Sequence, residues 1–428
     1  MKEFMKYLEE STVSFFAVEN LKSMFGEAGF EQLPLHEDWQ IKEGGKYFVT
    51  LWDSACIAFT IPEDMSKVQA PLYRMIGAHT DQPCFRIKPG SQMNQNGYCK
   101  LNVEVYGGPI FSTWLDRPLS LAGRVTLKSD NVFKPRTELI DLKKPVLIIP
   151  NLAVHMNRGV NDGVALNAQV DMLPVGALVS GLAEEQEQMV VKAVAEKLNV
   201  ALDEILDFDL FTYVTEKPEL VGFSEEFLSA PRLDDLVMVH TAAKALVESK
   251  GGSGINMLCA FDHEECGSRT PQGAGTGTIT MILEKLSMAL GRNRQQFIDD
   301  IMQSFMISGD VAHAIHPNHP ERHDPVLKTQ LGGGPVIKLS ANQSYVTQSC
   351  DYSVYEMICK KAGVPVQKFA NKSDSRGGST LGPVVAANVP CHIMDMGVPI
   401  LSMHSSRELM AAVDYEYTKR SFVEYYNI

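Results

Sequence analysis

Ile255-Asn256-Met257-Leu258-Cys259-Ala260-Phe261 is an almost wholly apolar run that leads directly into Asp262-His263-Glu264-Glu265. It has the length of a buried strand, and it ends on adjacent carboxylates. A second apolar run, residues 72–78, ends at His79 and Asp81. After about Gly222, helical and apolar segments alternate over 234–248, 255–261, 279–290, 296–307, 353–361 and 391–395. The alternation predicts an α/β fold with a mixed, largely parallel sheet flanked by helices.

Upstream, Ser11 is placed to cap a helix over 13–27 that Gly29 terminates. Residues 47–50 and 56–60 read as strands around a Trp52-Asp53 turn. After Pro89 the texture changes to short β-rich runs at 100–106, 123–128 and 146–149, separated by Gly, Pro and Asp turns. From Met172 the pattern is helical, over 182–198 and 201–206. A chain of 428 residues exceeds the usual size of one core. The division expected is a discontinuous α/β domain, 1–90 and 220–428, with a β-rich domain, 91–219, inserted.

Apolar residues at 45% and charged residues at 21% describe an ordinary globular chain. The formal charge of -13 argues against a nucleic-acid partner, since little basic surface is available to displace counterions. The eight cysteines are dispersed without a Cys-x-x-Cys pair, the N-terminus does not resemble a signal peptide, and no apolar run has membrane-spanning length. A cytoplasmic location with reduced thiols is expected.

Five metal-type ligands stand out: His79, Asp234, Glu265, Asp310 and His404. Oxygen and imidazole donors without thiolate suit a catalytic zinc, cobalt or manganese site. Asp81, two residues beyond His79, can point the same way and orient the imidazole. Of the paired acids Glu264 and Glu265, one can bind metal while the other serves as a general base. Asp234 and Asp235 open a helix, where they could cap it or bridge two ions. Taken singly, each piece also fits a solvated turn, a cap or a core histidine.

Their order is more specific. His-x-Asp, Asp, Glu-Glu, Asp and His follow one another as in a co-catalytic two-metal exopeptidase. With residues 77–89, 103–124, 149–155, 205–210, 229–236, 262–274, 307–318 and 399–408, the chain resembles the aspartyl aminopeptidase family along essentially its whole length. The resemblance implies a metalloaminopeptidase that removes an N-terminal Asp or Glu from short peptides using two divalent ions per subunit, Zn2+ first, with Co2+ or Mn2+ as alternatives. Asp234 would bridge the ions. His79, Glu265, Asp310 and His404 would be the other ligands, with Glu264 as general base. His155 would reach a neighbouring subunit's active site, making at least a dimer obligatory, and the family forms dodecamers. His313, His316, Lys338 and Tyr345 would lie near the substrate. The chain departs from the family at Asp235, where Asn is usual, at His263 and Cys266 in place of Asn and Val, and at Phe16 in place of His.

The glycines at 273–277 and 332–334 lack dinucleotide-loop spacing, and Gly377-Gly378-Ser379-Thr380 reads better as a tight turn than as a phosphate loop. The alternatives to the peptidase reading are a non-catalytic oligomeric scaffold of the same fold and a two-metal aminopeptidase or amidohydrolase without acidic preference.

Overall fold

The structure, a computed structural model, describes residues 1–179, 188–375 and 377–428. The chain forms two compact units. One comprises Met1–Asp81, Pro218–Met403 and Glu408–Ile428, and the other Gln82–Lys217 with His404–Arg407.

The first unit is built on a nine-stranded sheet whose centre is the run Ile255–Phe261, Tyr73–His79, Phe305–Gly309 and His392–Gly397. These four strands are mutually parallel. Lys46–Leu51 and Ala55–Thr60 extend the sheet antiparallel on one side, and Val336–Leu339 and Gln367–Ala370 on the other. Strands covered on both faces explain the apolar runs: every residue of Ile255–Phe261 and Tyr73–His79 is buried.

Alternate residues serve opposite faces. Ile76, Ala78, Leu258, Ala260 and Ile307 join a core with Leu236, Val239, Tyr355 and Phe422 from the helices Leu233–Glu248, Ser349–Ala362 and Ala412–Asn427. Met75, Met257, Cys259, Phe261 and Met306 join another with Ile279, Leu283, Phe297 and Leu381 from Thr278–Ala289, Arg294–Met302 and Leu381–Ala386. A five-stranded sheet of Glu219–Val221, Phe227–Ala230, Glu408–Ala411, Pro399–Leu401 and Ala312–His313 completes this unit.

The second unit is a seven-stranded antiparallel sheet. Its strand Ile205–Val214 pairs with both Cys84–Gln95 and Pro118–Leu127, closing the sheet into a barrel-like ring. Closure pairs strands that would otherwise be edges, Arg136–Asp141 flanks the ring on Pro118–Leu127, and Phe85, Leu101, Leu121, Val125 and Leu210 fill the interior.

Local corrections follow from tertiary context. Ser11 does not cap the second helix: that helix is Ser14–Glu27 with Val13 at its start, and Ser11 closes an unforeseen helix, Lys2–Glu10, where its Oγ accepts Asn20 Nδ2 at 3.0 Å. Residues 201–206 form one tight turn, Leu202–Glu204, before Ile205 enters the barrel strand. The stretch 296–307 is two elements, the helix Arg294–Met302 and the strand starting at Phe305. Of the helix expected at 182–198, the part before residue 188 lies outside the described residues, and the helix seen is Met189–Leu198. The last strand, Glu408–Ala411, follows Pro399–Leu401.

Candidate metal centre

The parallel strands of the first unit end together. Phe261 is in register with His79, and Ser308 with Gly77. His79 therefore ends its strand beside the turn carrying Glu264 and Glu265 and near Asp310, which follows Gly309. The carboxyl end of an open parallel sheet is where such folds bind ligands. Gly397 runs behind Asp310 so closely that a Cβ would lie 1.9 Å from the Asp310 carbonyl oxygen.

Asp234 and Asp235 are not helix caps. Both have non-helical backbone at the start of Leu233–Glu248, and both are buried. Asp234 Oδ1 lies 3.3 Å from His79 Nε2, and the Asp234 main-chain N–H donates to Glu408 Oε2 at 3.0 Å. One ligand atom from each of His79, Asp234, Asp235 and Asp310 lies within 4.8 Å of the others, and so do those of His79, Glu264 and Glu265.

Asp81 holds this arrangement in two ways. Its main-chain oxygen lies 3.0 Å from His79 Nδ1, closer than its carboxylate at 3.4 Å. The carboxylate instead accepts the main-chain N–H groups of Glu264 and Glu265, each at 3.1 Å. Asp235 has a part that sequence reasoning left open. Its Oδ2 accepts the His79 N–H at 3.1 Å and its Oδ1 the Val311 N–H at 3.3 Å, fixing the segments that carry His79 and Asp310. The adjacent acid pair was the signal for it. Glu408, which holds the Asp234 backbone, carried no such signal.

The electrostatics fit a cation. Burial raises the Asp235 and Asp310 carboxyls, and neighbouring carboxylates add to the shift. Burial likewise pushes Glu264 up to about 7, with His79 opposing. Burial alone would lower His79, but Asp235, Asp234 and Asp81 reverse this and raise it well above its usual value. So many buried acids around one imidazole favour charge neutralisation, and a divalent ion supplies it with donors of the type zinc accepts.

Lys338 is buried on the strand Val336–Leu339. Its Nζ lies 3.5 Å from Asp310 Oδ1 and 5.5 Å from the ring centre of buried Tyr345. Burial opposes its charge, but Asp310, Tyr345, Asp395 and Asp235 together outweigh burial and raise its pKa. His313 is exposed with its ring edge toward Phe369, and His316 Nδ1 accepts the Asn318 N–H at 3.2 Å. Neither belongs to a ligand-distance group among the described residues. His263 Nδ1 lies 2.6 Å from Thr270 Oγ1, and its Nε2 lies 3.5 Å from Asp262 Oδ2. His155 and His404 lie in the second unit. His155 is exposed, and His404 Nδ1 lies 3.1 Å from the Gly108 carbonyl oxygen, a bond that leaves Nε2 as the nitrogen with the lone pair.

The family model for Aminopeptidase I zinc metalloprotease (M18) matches residues 7–426. The chain belongs to the M18 family. A relative from Clostridium acetobutylicum, "Probable M18 family aminopeptidase 2", is 45% identical over 428 residues, covering 100% of this chain and 98% of its own. A namesake from Pseudomonas savastanoi is 38% identical over 98% of this chain and 96% of its own. Among solved structures, the cryo-EM structure of the Ape4 and Nbr1 complex superposes with a TM-score of 0.94 at 34% identity, covering 99% of this chain and 84% of that one. The M18 aminopeptidase of Thermotoga maritima has the same fold, with a TM-score of 0.86 at 22% identity over 100% of this chain and 95% of that one. This M18 chain is thus a zinc aminopeptidase, a hydrolase.

Proposed function

We propose that this M18 aminopeptidase removes an N-terminal Asp or Glu from short peptides, with two divalent ions at its centre and Glu264 as general base. The observation that carries the two-ion centre is the convergence of His79, Asp234, Asp310, Glu264 and Glu265 at the carboxyl end of the parallel strands, with Asp234 against His79 Nε2. His79, Asp234, Glu265, Asp310 and His404 would hold the ions, Asp234 between them. Bound zinc supplies Lewis acidity that makes water nucleophilic near neutral pH. Glu264 takes the proton of the attacking water and passes it to the leaving amine. Asp81 keeps Glu264 in place through its main-chain N–H. His155, exposed on the second unit, is suited to donate to the developing oxyanion in a partner subunit. Self-association follows from that assignment, and the yeast mApe1 structure, 24% identical, is a dodecamer.

Acidic preference is supported by the buried Lys338 ammonium at the edge of the carboxylate cluster. The same contact favours a second reading, in which Lys338 neutralises Asp310 and the first-residue pocket is not acidic-selective. Hydrolysis of Asp-, Glu-, Leu- and Lys-anilides separates the two. Release led by Asp or Glu, lost selectively in Lys338→Met, supports the first. Release led by Leu, with Lys338→Met lowering all substrates alike, supports the second. N-acetylated substrates are expected to be inert for an aminopeptidase.

A further inference from the structure

The sheet of the first unit has an opposite end that the peptidase chemistry does not use. There His392 opens the strand His392–Gly397, in register with Phe305. Asp310 lies five residues beyond Phe305, so on the order of 16 Å of strand separates the two ends. Against His392 stands the first turn of the helix Ser349–Ala362, which carries Cys350 and Asp351.

Asp351 is buried, whereas Cys350 and His392 are exposed. Asp351 Oδ1 lies 2.8 Å from His392 Nδ1 and accepts the Cys350 thiol at 3.5 Å. The sulfur, the imidazole nitrogen and the carboxylate oxygen all lie within 4.8 Å of one another. Tetrahedral zinc, with bonds of about 2.0–2.3 Å, places neighbouring ligand atoms about 3.3–3.6 Å apart. The observed separations approach this spacing before any ion is bound. Cys391, next to His392 in the chain, does not belong to this group of ligand atoms.

We propose that Cys350, Asp351 and His392 form a second transition-metal site, separate from the peptidase centre, which takes a zinc-type divalent ion and ties the helix Ser349–Ala362 to the sheet. Water completes the coordination. On binding, the thiol proton leaves to solvent and the Nδ1 proton passes to Nε2, so one proton is released per ion. The mixed soft and borderline donor set selects zinc or cobalt over magnesium or calcium.

The probe is Co2+, added to the full-length, reduced, metal-stripped protein. The donors assigned to the peptidase centre are oxygen and imidazole, so near-ultraviolet thiolate-to-cobalt charge transfer reports a cysteine ligand alone. The expected result is a band corresponding to one cobalt–thiolate unit per chain. Cys350→Ser abolishes it, and His392→Ala weakens cobalt binding about 10-fold or more. Cys266→Ser, which removes the exposed thiol beside Glu265, leaves the band unchanged. After zinc loading, Cys350→Ser holds one ion fewer per chain by elemental analysis but keeps its peptidase activity. Absence of the band in the wild-type protein, or its survival in Cys350→Ser, overturns the assignment. Retained peptidase activity and far-ultraviolet dichroism in both variants distinguish loss of the site from loss of the fold.

Discussion

Asp81 Oδ1 accepts the main-chain N–H of Glu264 at 3.1 Å, and its Oδ2 accepts that of Glu265 at the same distance. The main-chain oxygen of Asp81 meanwhile faces His79 Nδ1. One residue thus positions an imidazole and two acids carried by two different strands. Asp81→Ala is expected to lower zinc affinity or kcat/KM about 10–100-fold. Asp81→Asn, which can accept from only one of the two N–H groups, should fall between. Chelator competition for zinc, read beside kcat/KM, checks the order.

Asp235 satisfies the buried N–H groups of His79 and Val311. In Asp235→Ala both lose their acceptor, at about 1–3 kcal/mol each. Asp235→Asn can replace only one acceptor and should be intermediate. Urea unfolding of the metal-free proteins isolates this effect from metal binding, and equal stability of all three would refute the positioning role.

Glu264→Gln preserves the size of the side chain and the main-chain bond to Asp81, but it cannot take a proton. Turnover should fall about 10²–10⁴-fold while zinc content is unchanged. Near-normal turnover in a fully loaded variant would exclude Glu264 as the base.

Removing metal leaves buried acids crowded around His79. Chelation should lower the midpoint of thermal unfolding, and zinc should restore it in a concentration-dependent way, because the ion binds the folded site. Calorimetry with and without chelator measures the shift.

His240, packed among the rings of Phe4, Tyr7 and Tyr415, titrates at about 3 because burial disfavours its charged form, with Lys244 adding to the effect. Its folded pKa is depressed below the ordinary 6.5, so below pH 6.5 the unfolded chain binds a proton that the folded chain does not. Stability from this group therefore falls as pH drops, by about 1.4 kcal/mol per unit between 6.5 and about 3. Between pH 7.5 and 5 the wild-type protein should lose about 2 kcal/mol more than His240→Phe in urea unfolding.

The chemistry of this protein was legible along the chain, because apolar runs that stop on His79 or on Glu264 and Glu265 mark strand ends by composition alone. The collinear order of His79, Asp234, Glu265, Asp310 and His404, with the stretches around them, carried the resemblance to the family that the family model bears out. The α/β class was legible for a similar reason: strands buried on both faces must be continuously apolar.

What no local pattern contained was the partner of each polar group. The carboxylate of Asp81 serves the Glu264-Glu265 turn, that of Asp235 serves His79 and Val311, and Lys338 lies against Asp310. Ser11 was misread for the same reason, because the bond that occupies it comes from the Asn20 side chain within the following helix and not from that helix's first main-chain N–H groups. A side chain's hydrogen-bonding capacity is a property of its residue type. The donor or acceptor that fills it is decided by which segments the packed fold brings within hydrogen-bonding distance.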